Sequence, residues 1–433
     1  MIEAAGFAGR KVAVLGLGKS GLSSALSLRL GGAEVWVWDD QAAALEKARE
    51  AGFEPVDLNA ADLGELAALI LAPGIPHSFP EPHPVVTRMR AEGVPILGDV
   101  ELLCRARPDA VYVGITGTNG KSTTTALIAH ILEHAGRTMA IGGNFGPPVL
   151  SLPVFGPGEI YVLELSSYQL ELAPSLAPDA AILLNITPDH LERHGGMDGY
   201  IAAKKRIFRN QRKGDAAIIG IDDAICRAIR DELAADAERL VIPISSADRI
   251  DVENDRLLGA HNRQNIAAAY AACRHLGLEP EAIKAGIASF PGLAHRQEVL
   301  TLREGVRWIN DSKATNADAA AKALVCYENI YWIAGGLPKE GGIDTLAQFF
   351  PRIRHAFLIG QAEEEFARVI GDAIPFTRCG DLGTAVLKAA SLAPPGSVVL
   401  LSPACASFDQ FTSFEHRGNV FRELVAALNG SPA

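Results

Sequence analysis

Short β-branched runs alternate with Ala- and Leu-rich stretches along most of this chain. "KVAVLGLG" is followed by "SGLSSALSLRL", and "EVWVWDD" by "AAALEKAREAG". A strand joined to the next through a helix-length crossover pairs with it in parallel, so the alternation predicts an α/β fold: parallel sheets with helices on both faces. Interruptions of the pattern set the domains. "EGVPILGDVELLCRARPDAVYVGITG" passes through Pro and Gly residues into a fresh strand and places one boundary near Gly98. Pro291 and Gly292 in "SFPGLAHRQEV" break a helical pattern ahead of the strand "VRWIND" and place the second. Three α/β domains are expected, over residues 1–98, 99–292 and 293–433.

A net charge of −11 over 433 residues speaks against binding to nucleic acid, which calls for a basic surface. It leaves room for anionic small molecules, because local Lys and Gly clusters bind phosphate inside an acidic protein. The opening residues do not read as a secretory leader, and no apolar run reaches the ~18 residues of a membrane span. The six cysteines are scattered without a C-x-x-C pair, so neither a disulfide framework nor a cysteine zinc site is expected. A cytoplasmic protein without membrane insertion is the simplest reading.

Two glycine clusters sit at strand-to-helix turns. Gly16, Gly18 and Gly21 in "KVAVLGLGKSG" form G-x-G-x-x-G, and Asp39 and Asp40 end the next strand at the distance of a ribose-binding acid. The functional reading is a pyrophosphate on a helix N-terminus; the plain one is a tight turn that needs glycine for packing. The second cluster, "GITGTNGKSTTT", departs from the general phosphate-loop pattern because Ile115 stands where a glycine is required. Its physics survives the departure. Backbone N–H groups of Gly117, Thr118, Asn119, Gly120, Ser122 and Thr123 form an anion nest, Lys121 supplies a charge, and Ser122 is a candidate Mg²⁺ ligand. ATP or a similar nucleotide with Mg²⁺ is the expected ligand.

Carboxylates for that metal should close nearby strands. "YVLELSSYQLE" brings Glu164 to a strand end, and "ILLNITPDHLERHG" brings Asp189 and His190 to another. "AAKKRIF" then sets Lys204 and Lys205 side by side on a probable helix, and the residues alone do not choose between them.

"GITGTNGKSTTT", "ELSSYQLE", "NITPDHLERH" and "AAKKRIF" resemble the central ATPase domain of the Mur ligases. "HNRQN", "HRQEV", "INDSKATN" and "LSPACASFDQF" resemble the branch of that family that adds D-glutamate, and the resemblance runs in order along essentially the whole chain. It implies a Rossmann-like N-terminal domain for a UDP-linked substrate, a P-loop-type central ATPase, and a Rossmann-like C-terminal domain for the incoming amino acid. It also implies a reaction: ATP converts a carboxylate into an acyl phosphate, which an amine attacks to give an amide. The implied partners are ATP, UDP-N-acetylmuramoyl-L-alanine and D-glutamate, acting on a monomer.

By this resemblance Lys121 contacts the β- and γ-phosphates, and Ser122 and Glu164 hold one Mg²⁺. His190 and Lys204 serve a second, with Lys204 carboxylated by CO₂ because the family's A-A-K-x-R-I pattern selects it over Lys205. Asn144 in "GGNFG" orients the muramoyl substrate. Gly16, Gly18, Lys19, Ser20, Gly21, Asp39, Asp40, Pro73 and Gly74 line the UDP pocket. Asn262 and Asn265 lie near adenine, Arg296 near the phosphates and Asp311 near the ribose. Lys313, Thr315, Lys339, Ser407 and Phe414 serve D-glutamate, whose two carboxylates require cations and hydrogen-bond donors. Ser407 also reads as a helix N-cap.

Two positions depart from the family: Ala72 in "LAPGIP" replaces a hydroxyl residue, and Asp40 stands where a hydroxyl is usual. Three other readings remain open from the residues. A sibling amide ligase such as a folate glutamyl ligase would use another amino acid or acceptor. A nicotinamide-dependent oxidoreductase would use the first glycine cluster, and an NTP-driven switch would make no small-molecule product.

Overall fold

A computed structural model describes residues 1–338 and 341–428. Lys339 therefore lies outside the described residues. Three sheets form. The first holds β1 (Lys11–Leu15), β2 (Glu34–Trp38), β3 (Ala68–Leu71) and β4 (Ile96–Leu97), in the order β2-β1-β3-β4, and every pairing is parallel. The second holds β5 (Val111–Thr116), β6 (Met139–Gly143), β7 (Ile160–Glu164), β8 (Ala180–Leu183), β9 (Ala216–Gly220) and β10 (Leu240–Ile244). Its order, β10-β9-β8-β5-β7-β6, is again all parallel.

Parallel strands covered by helices on both faces must be apolar on both sides. β5, β7, β8 and β9 meet that demand, with all or nearly all residues buried. Ligands of such sheets collect beyond the C-terminal strand ends. There the turns after β5, β6, β7 and β8 carry the residues singled out in the sequence.

The third sheet holds β11 (Glu298–Arg303), β12 (Val306–Asn310), β13 (Ile330–Gly335), β14 (Ile353–Ile359), β15 (Phe376–Gly380) and β16 (Val398–Leu401), in the order β11-β12-β16-β13-β14-β15. β11 is antiparallel, a departure from the all-parallel expectation. Its cause is local: Glu304 and Gly305 both have positive φ, the geometry of a two-residue hairpin turn whose twist matches the flanking strands.

The chain divides into two compact units. Residues 1–253 and 262–289 make one, which holds the first two sheets on a shared core, and residues 254–261 and 290 onward make the other. No helix among the described residues is long and apolar enough to cross a membrane.

Candidate active site

The loop between β5 and the helix Lys121–His134 is closed by neighbours that leave no room for side chains at its glycines. Gly117 has φ +146°, and a Cβ there would stand 3.1 Å from Leu184 and 3.3 Å from the Asn185 backbone. Gly120 has φ +87°, and a Cβ would collide with the Asn265 side-chain oxygen. The loop is pinned from the strand-end segment after β8. Asn119 N donates to Asn185 Oδ1 at 2.9 Å, and Asn185 Nδ2 returns a bond to Asn119 O at 3.1 Å. Thr118 Oγ1 meets both Thr187 N and Thr187 O at 3.0 Å and the Tyr200 hydroxyl at 3.1 Å. Lys121 folds back over the loop, its ammonium donating to Gly117 O and Thr118 O at 2.9 Å each. Thr123 is half-buried on the first helical turn.

Ser122, Glu164 and Asn144 form one chain across three turns. Ser122 Oγ donates to Glu164 Oε2 at 2.6 Å, and Asn144 Nδ2 donates to Oε1 of the same carboxylate at 2.6 Å. Glu164 is only 2% exposed. Among the described residues no group of three His, Cys, Asp or Glu side chains is placed to hold a metal. What the site offers instead is a buried carboxylate and a hydroxyl beside a phosphate nest, an all-oxygen donor set that suits Mg²⁺, which completes its shell with phosphate and water.

Lys204 and Lys205 end the helix Met197–Lys205 with opposite fates. Lys204 is 2% exposed; its Nζ donates to Gly117 O at 2.9 Å and lies 4.6 Å from the Tyr200 ring centre. Burial pushes its amine well below the usual lysine range, and the charge of Lys121 pushes the same way. Lys205 is turned outward into an ion pair with Glu232. His190 is not drawn into this group. It is half-exposed, at φ 52°, beside Asp189 at 3.7 Å and against the Tyr168 ring.

Asn262 and Asn265, expected near adenine, are buried on the helix Ala260–His275 and joined by a 3.0 Å hydrogen bond, with Asn265 against Gly120. Gln264 on the same helix donates to Asp222 Oδ2 at 3.0 Å and receives the Asn185 amide at 3.5 Å.

The first glycine cluster is built differently. A Cβ at Gly16 (φ +89°) would stand 2.7 Å from both Ala72 and Ile75, and one at Gly21 would collide with Gly16 O, whereas Gly18 faces open space. Ala72 thus packs on the turn, which gives this family departure a structural role. Asp39 accepts from Leu17 N at 2.6 Å and from Gln41 N at 2.9 Å, tying the glycine turn to the end of β2. Asp40 turns to His83 Nε2 at 2.8 Å and Trp38 Nε1 at 3.2 Å, and the His83 hydrogen bond holds its carboxyl below the usual range. Lys19 and Ser20 open the helix Lys19–Leu30, while Pro73 and Gly74 follow β3, with Gly74 O accepting from Arg193 at 3.0 Å.

In the second unit Asp311 is buried after β12. Ser402 Oγ donates to it at 2.8 Å and Gln297 N at 3.1 Å, and burial raises its carboxyl to about 7. Arg296, in the turn Leu293–Arg296, sits close enough to pull the other way. Lys313 Nζ lies 3.9 Å from the Phe414 ring centre, and Thr315 N donates to Lys313 O at 2.8 Å. Ser407 is buried in the loop after β16 and does not cap a helix. Ser413 caps Phe414–Ala427 instead, accepting from His416 N at 3.2 Å.

Comparison with known proteins gives these groups a context. Residues 115–255 match the Mur ligase middle domain, and residues 295–405 match the Mur ligase, glutamate ligase domain. Residues 6–77 match the NADPH-binding domain of acetohydroxy acid isomeroreductase, a likeness confined to the first glycine cluster and β1 to β3. A UDP-N-acetylmuramoylalanine–D-glutamate ligase from Paramagnetospirillum magneticum is 51% identical, over 97% of each chain. One of the same name from Rhodospirillum rubrum is 50% identical, over 98% of this chain and 95% of its own.

The chain belongs to the Mur ligase family.

Solved structures agree on the fold. The UDP-N-acetylmuramate-alanine ligase MurC of Thermotoga maritima matches at a TM-score of 0.59 with 19% identity, over 96% of this chain and 99% of its own. MurF from Acinetobacter baumannii matches at 0.57 with 20% identity, over 77% and 79%.

This Mur ligase also has site-wall groups that sequence reasoning missed. Asn185, Thr187 and Tyr200 brace the phosphate loop and Gln264 backs Asn185; Asn185 and Thr187 lay in "NITPDH" and Gln264 in "HNRQN", though none was given a role, and Tyr200 stood just ahead of "AAKKRIF". A further cluster binds the segment after β3 to the second sheet. Glu171 meets His77 Nε2 at 3.2 Å and His194 Nδ1 at 3.4 Å, and His194 Nε2 meets Ser167 Oγ at 2.9 Å. Burial opposes ionisation of Glu171, but the adjacent His194 and His77 imidazoles prevail and bring its carboxyl down to about 2.

Proposed function

We propose that this Mur ligase joins D-glutamate to UDP-N-acetylmuramoyl-L-alanine at the expense of ATP, releasing ADP and phosphate. The observation that carries this reading is the 51% identity, over 97% of the chain, to a ligase named for that reaction. We place the enzyme in the cytoplasm as a monomer, with the three domains divided near Gly98 and Gly292.

The chemistry follows from what the residues supply. A carboxylate is a poor electrophile because its charge repels a nucleophile and its oxygen leaves badly. Transfer of the γ-phosphoryl group of ATP to the alanyl carboxylate converts that oxygen into a leaving group, with ADP departing. The D-glutamate amine then attacks the acyl carbon, phosphate leaves, the amine loses a proton, and an amide remains. Phosphoryl transfer of this kind depends on positioning and charge neutralisation more than on covalent help from the protein.

Gly117 to Thr123 offer backbone N–H groups to the phosphates, and Lys121 exchanges its two loop carbonyls for phosphate oxygens. Ser122 and Glu164 would hold Mg²⁺; Lys204 would serve a second ion, which His190 would reach only by turning in from its place beside Asp189, and the metal would supply charge neutralisation on the transferred group. Asn144, already bound to Glu164, orients the muramoyl substrate. The buried amine of Lys204 is poised to attack CO₂, lose a proton and become a carbamate with anionic oxygens. Lys313, Thr315, Ser407 and Phe414 receive the amino acid, and Gly16, Gly18 and Gly21 with Pro73 and Gly74 receive the UDP moiety.

ADP release tests the reading directly. With ATP, Mg²⁺ and UDP-N-acetylmuramoyl-L-alanine present, release should require D-glutamate and should not be supported by L-glutamate. Release with L-glutamate alone would overturn the stereochemistry, and release with neither would overturn the ligase assignment.

A further inference from the structure

Four stretches of the C-terminal unit surround the residues assigned to the amino acid: the segment after β12, the turn after β13, the loop after β16 and the start of the helix Phe414–Ala427. One side chain draws them together. Arg417 is 0% exposed. Its Nε donates to Ser312 Oγ at 3.0 Å, and its terminal nitrogens donate to Ser312 O at 2.9 Å, Cys405 O at 3.1 Å and Ala406 O at 3.2 Å. Ser312 Oγ passes the link on to Phe414 O at 2.8 Å. Ala406 exchanges backbone hydrogen bonds with Leu337 at 2.9 and 3.0 Å. At Gly336 (φ +134°), a Cβ would come within 3.1 Å of the guanidinium and collide with Ala406 O.

Among the described residues every acceptor of this guanidinium is neutral. Asp409, the carboxylate whose field reaches it, accepts from Gln361 N at 3.1 Å instead. A buried charge that meets only neutral acceptors among the described residues is costly, and a planar fork of donors fixes several carbonyls at once where a lysine would not. Burial lowers Arg417 to about 10, which leaves it charged at neutral pH. Ser312 and Ala406, the residues it grips, directly precede Lys313 and Ser407.

We propose that Arg417 is a positioning residue for the amino-acid substrate, setting the mutual spacing of Lys313, Ser407 and Phe414 and lending its charge to a pocket that receives a dicarboxylate. The inference rests on the ligase reading above. It goes beyond that reading by giving a residue with no assigned role a specific effect on one of three substrates.

Steady-state kinetics of Arg417→Met and Arg417→Lys, with each substrate varied in turn, tests it. Loss of several charged hydrogen bonds should raise the KM for D-glutamate about 30-fold in Arg417→Met, with the KM for ATP and for UDP-N-acetylmuramoyl-L-alanine within about twofold of wild type. Arg417→Lys, which keeps the charge and loses the fork, should recover part of that loss. A D-glutamate KM within about twofold of wild type, or an equal rise in all three KM values, would overturn the proposal. Should Arg417→Met fail to fold by circular dichroism, Ser312→Ala carries the test: a rise of about threefold in the D-glutamate KM alone is expected, and no rise overturns it. Wild-type enzyme without D-glutamate-dependent turnover would sink the ligase reading itself, an outcome visible before any variant is made.

Discussion

At the first glycine turn, Gly16 is confined by Ala72 and Ile75 and Gly21 by the Gly16 carbonyl, while one acid, Asp39, ties the turn to β2. At the second, Gly117 and Gly120 are confined by Leu184, Asn185 and Asn265, and the loop is braced by polar side chains from two further segments. Buried charge differs as well. Glu164 and Lys204 are each 2% exposed at the second turn, whereas Lys19, the cation at the first, is exposed. Both turns end at a helix N-terminus, the geometry that suits a phosphate, but only the second has desolvated charges beside it. A binding cradle needs backbone geometry alone; phosphoryl transfer also needs charges held where water does not screen them.

Removing those charges is the strongest way to break the comparison. Glu164→Ala and Lys204→Ala should each lower D-glutamate-dependent ADP release by about a thousandfold, while Lys205→Ala should stay within about threefold. Equal losses from both lysine variants would contradict the separation of their roles.

Backbone confinement gives the next largest effect. Gly120→Ala should cost about 2–4 kcal/mol in urea unfolding, from strain at positive φ plus the collision with Asn265. Gly18→Ala, at φ −63° with open space around it, should stay within about 0.5 kcal/mol.

A further contrast concerns pH, and it runs in opposite directions in the two units. Asp311 has a folded pKa raised to about 7 from 3.8, so its contribution is fully present below the unfolded value and is lost as pH rises through 7. Asp311→Asn should therefore gain stability relative to wild type between pH 4 and pH 8, values bracketing the titration of that buried carboxyl. Glu171 has a folded pKa lowered to about 2 from 4.5, so its contribution is present above 4.5 and is lost as pH falls. Glu171→Gln should flatten the acid limb of the stability curve. Denaturation midpoints across pH, read separately for the two units, check both signs.

Sequence pattern carried the strand-turn-helix units because the apolar runs and glycine turns are local signals. Lys121, Ser122 and Glu164 were legible for the same reason, since each sits at a strand end or helix start. The choice between Lys204 and Lys205 came from the family pattern and not from the residues themselves: adjacent residues on a helix differ by about 100° of rotation, and the packing decides which side is buried. Arg417 was hidden for another reason. Its partners are backbone carbonyls and a hydroxyl as far as 105 residues away, and carbonyls leave no mark on a sequence. The helix cap at Ser413 rather than Ser407 reflects a loop longer than the motif suggested, and β11 turns antiparallel on the Glu304–Gly305 hairpin.

The central claim is that ATP activates the alanyl carboxylate rather than being hydrolysed by water. Synthesis of UDP-N-acetylmuramoyl-L-alanine with ¹⁸O in that carboxylate, followed by turnover with ATP and D-glutamate, tests it by mass spectrometry of the released phosphate. An acyl phosphate leaves one labelled carboxylate oxygen on the phosphorus, so labelled phosphate should form in step with the amide. Unlabelled phosphate alongside full amide formation would contradict the account.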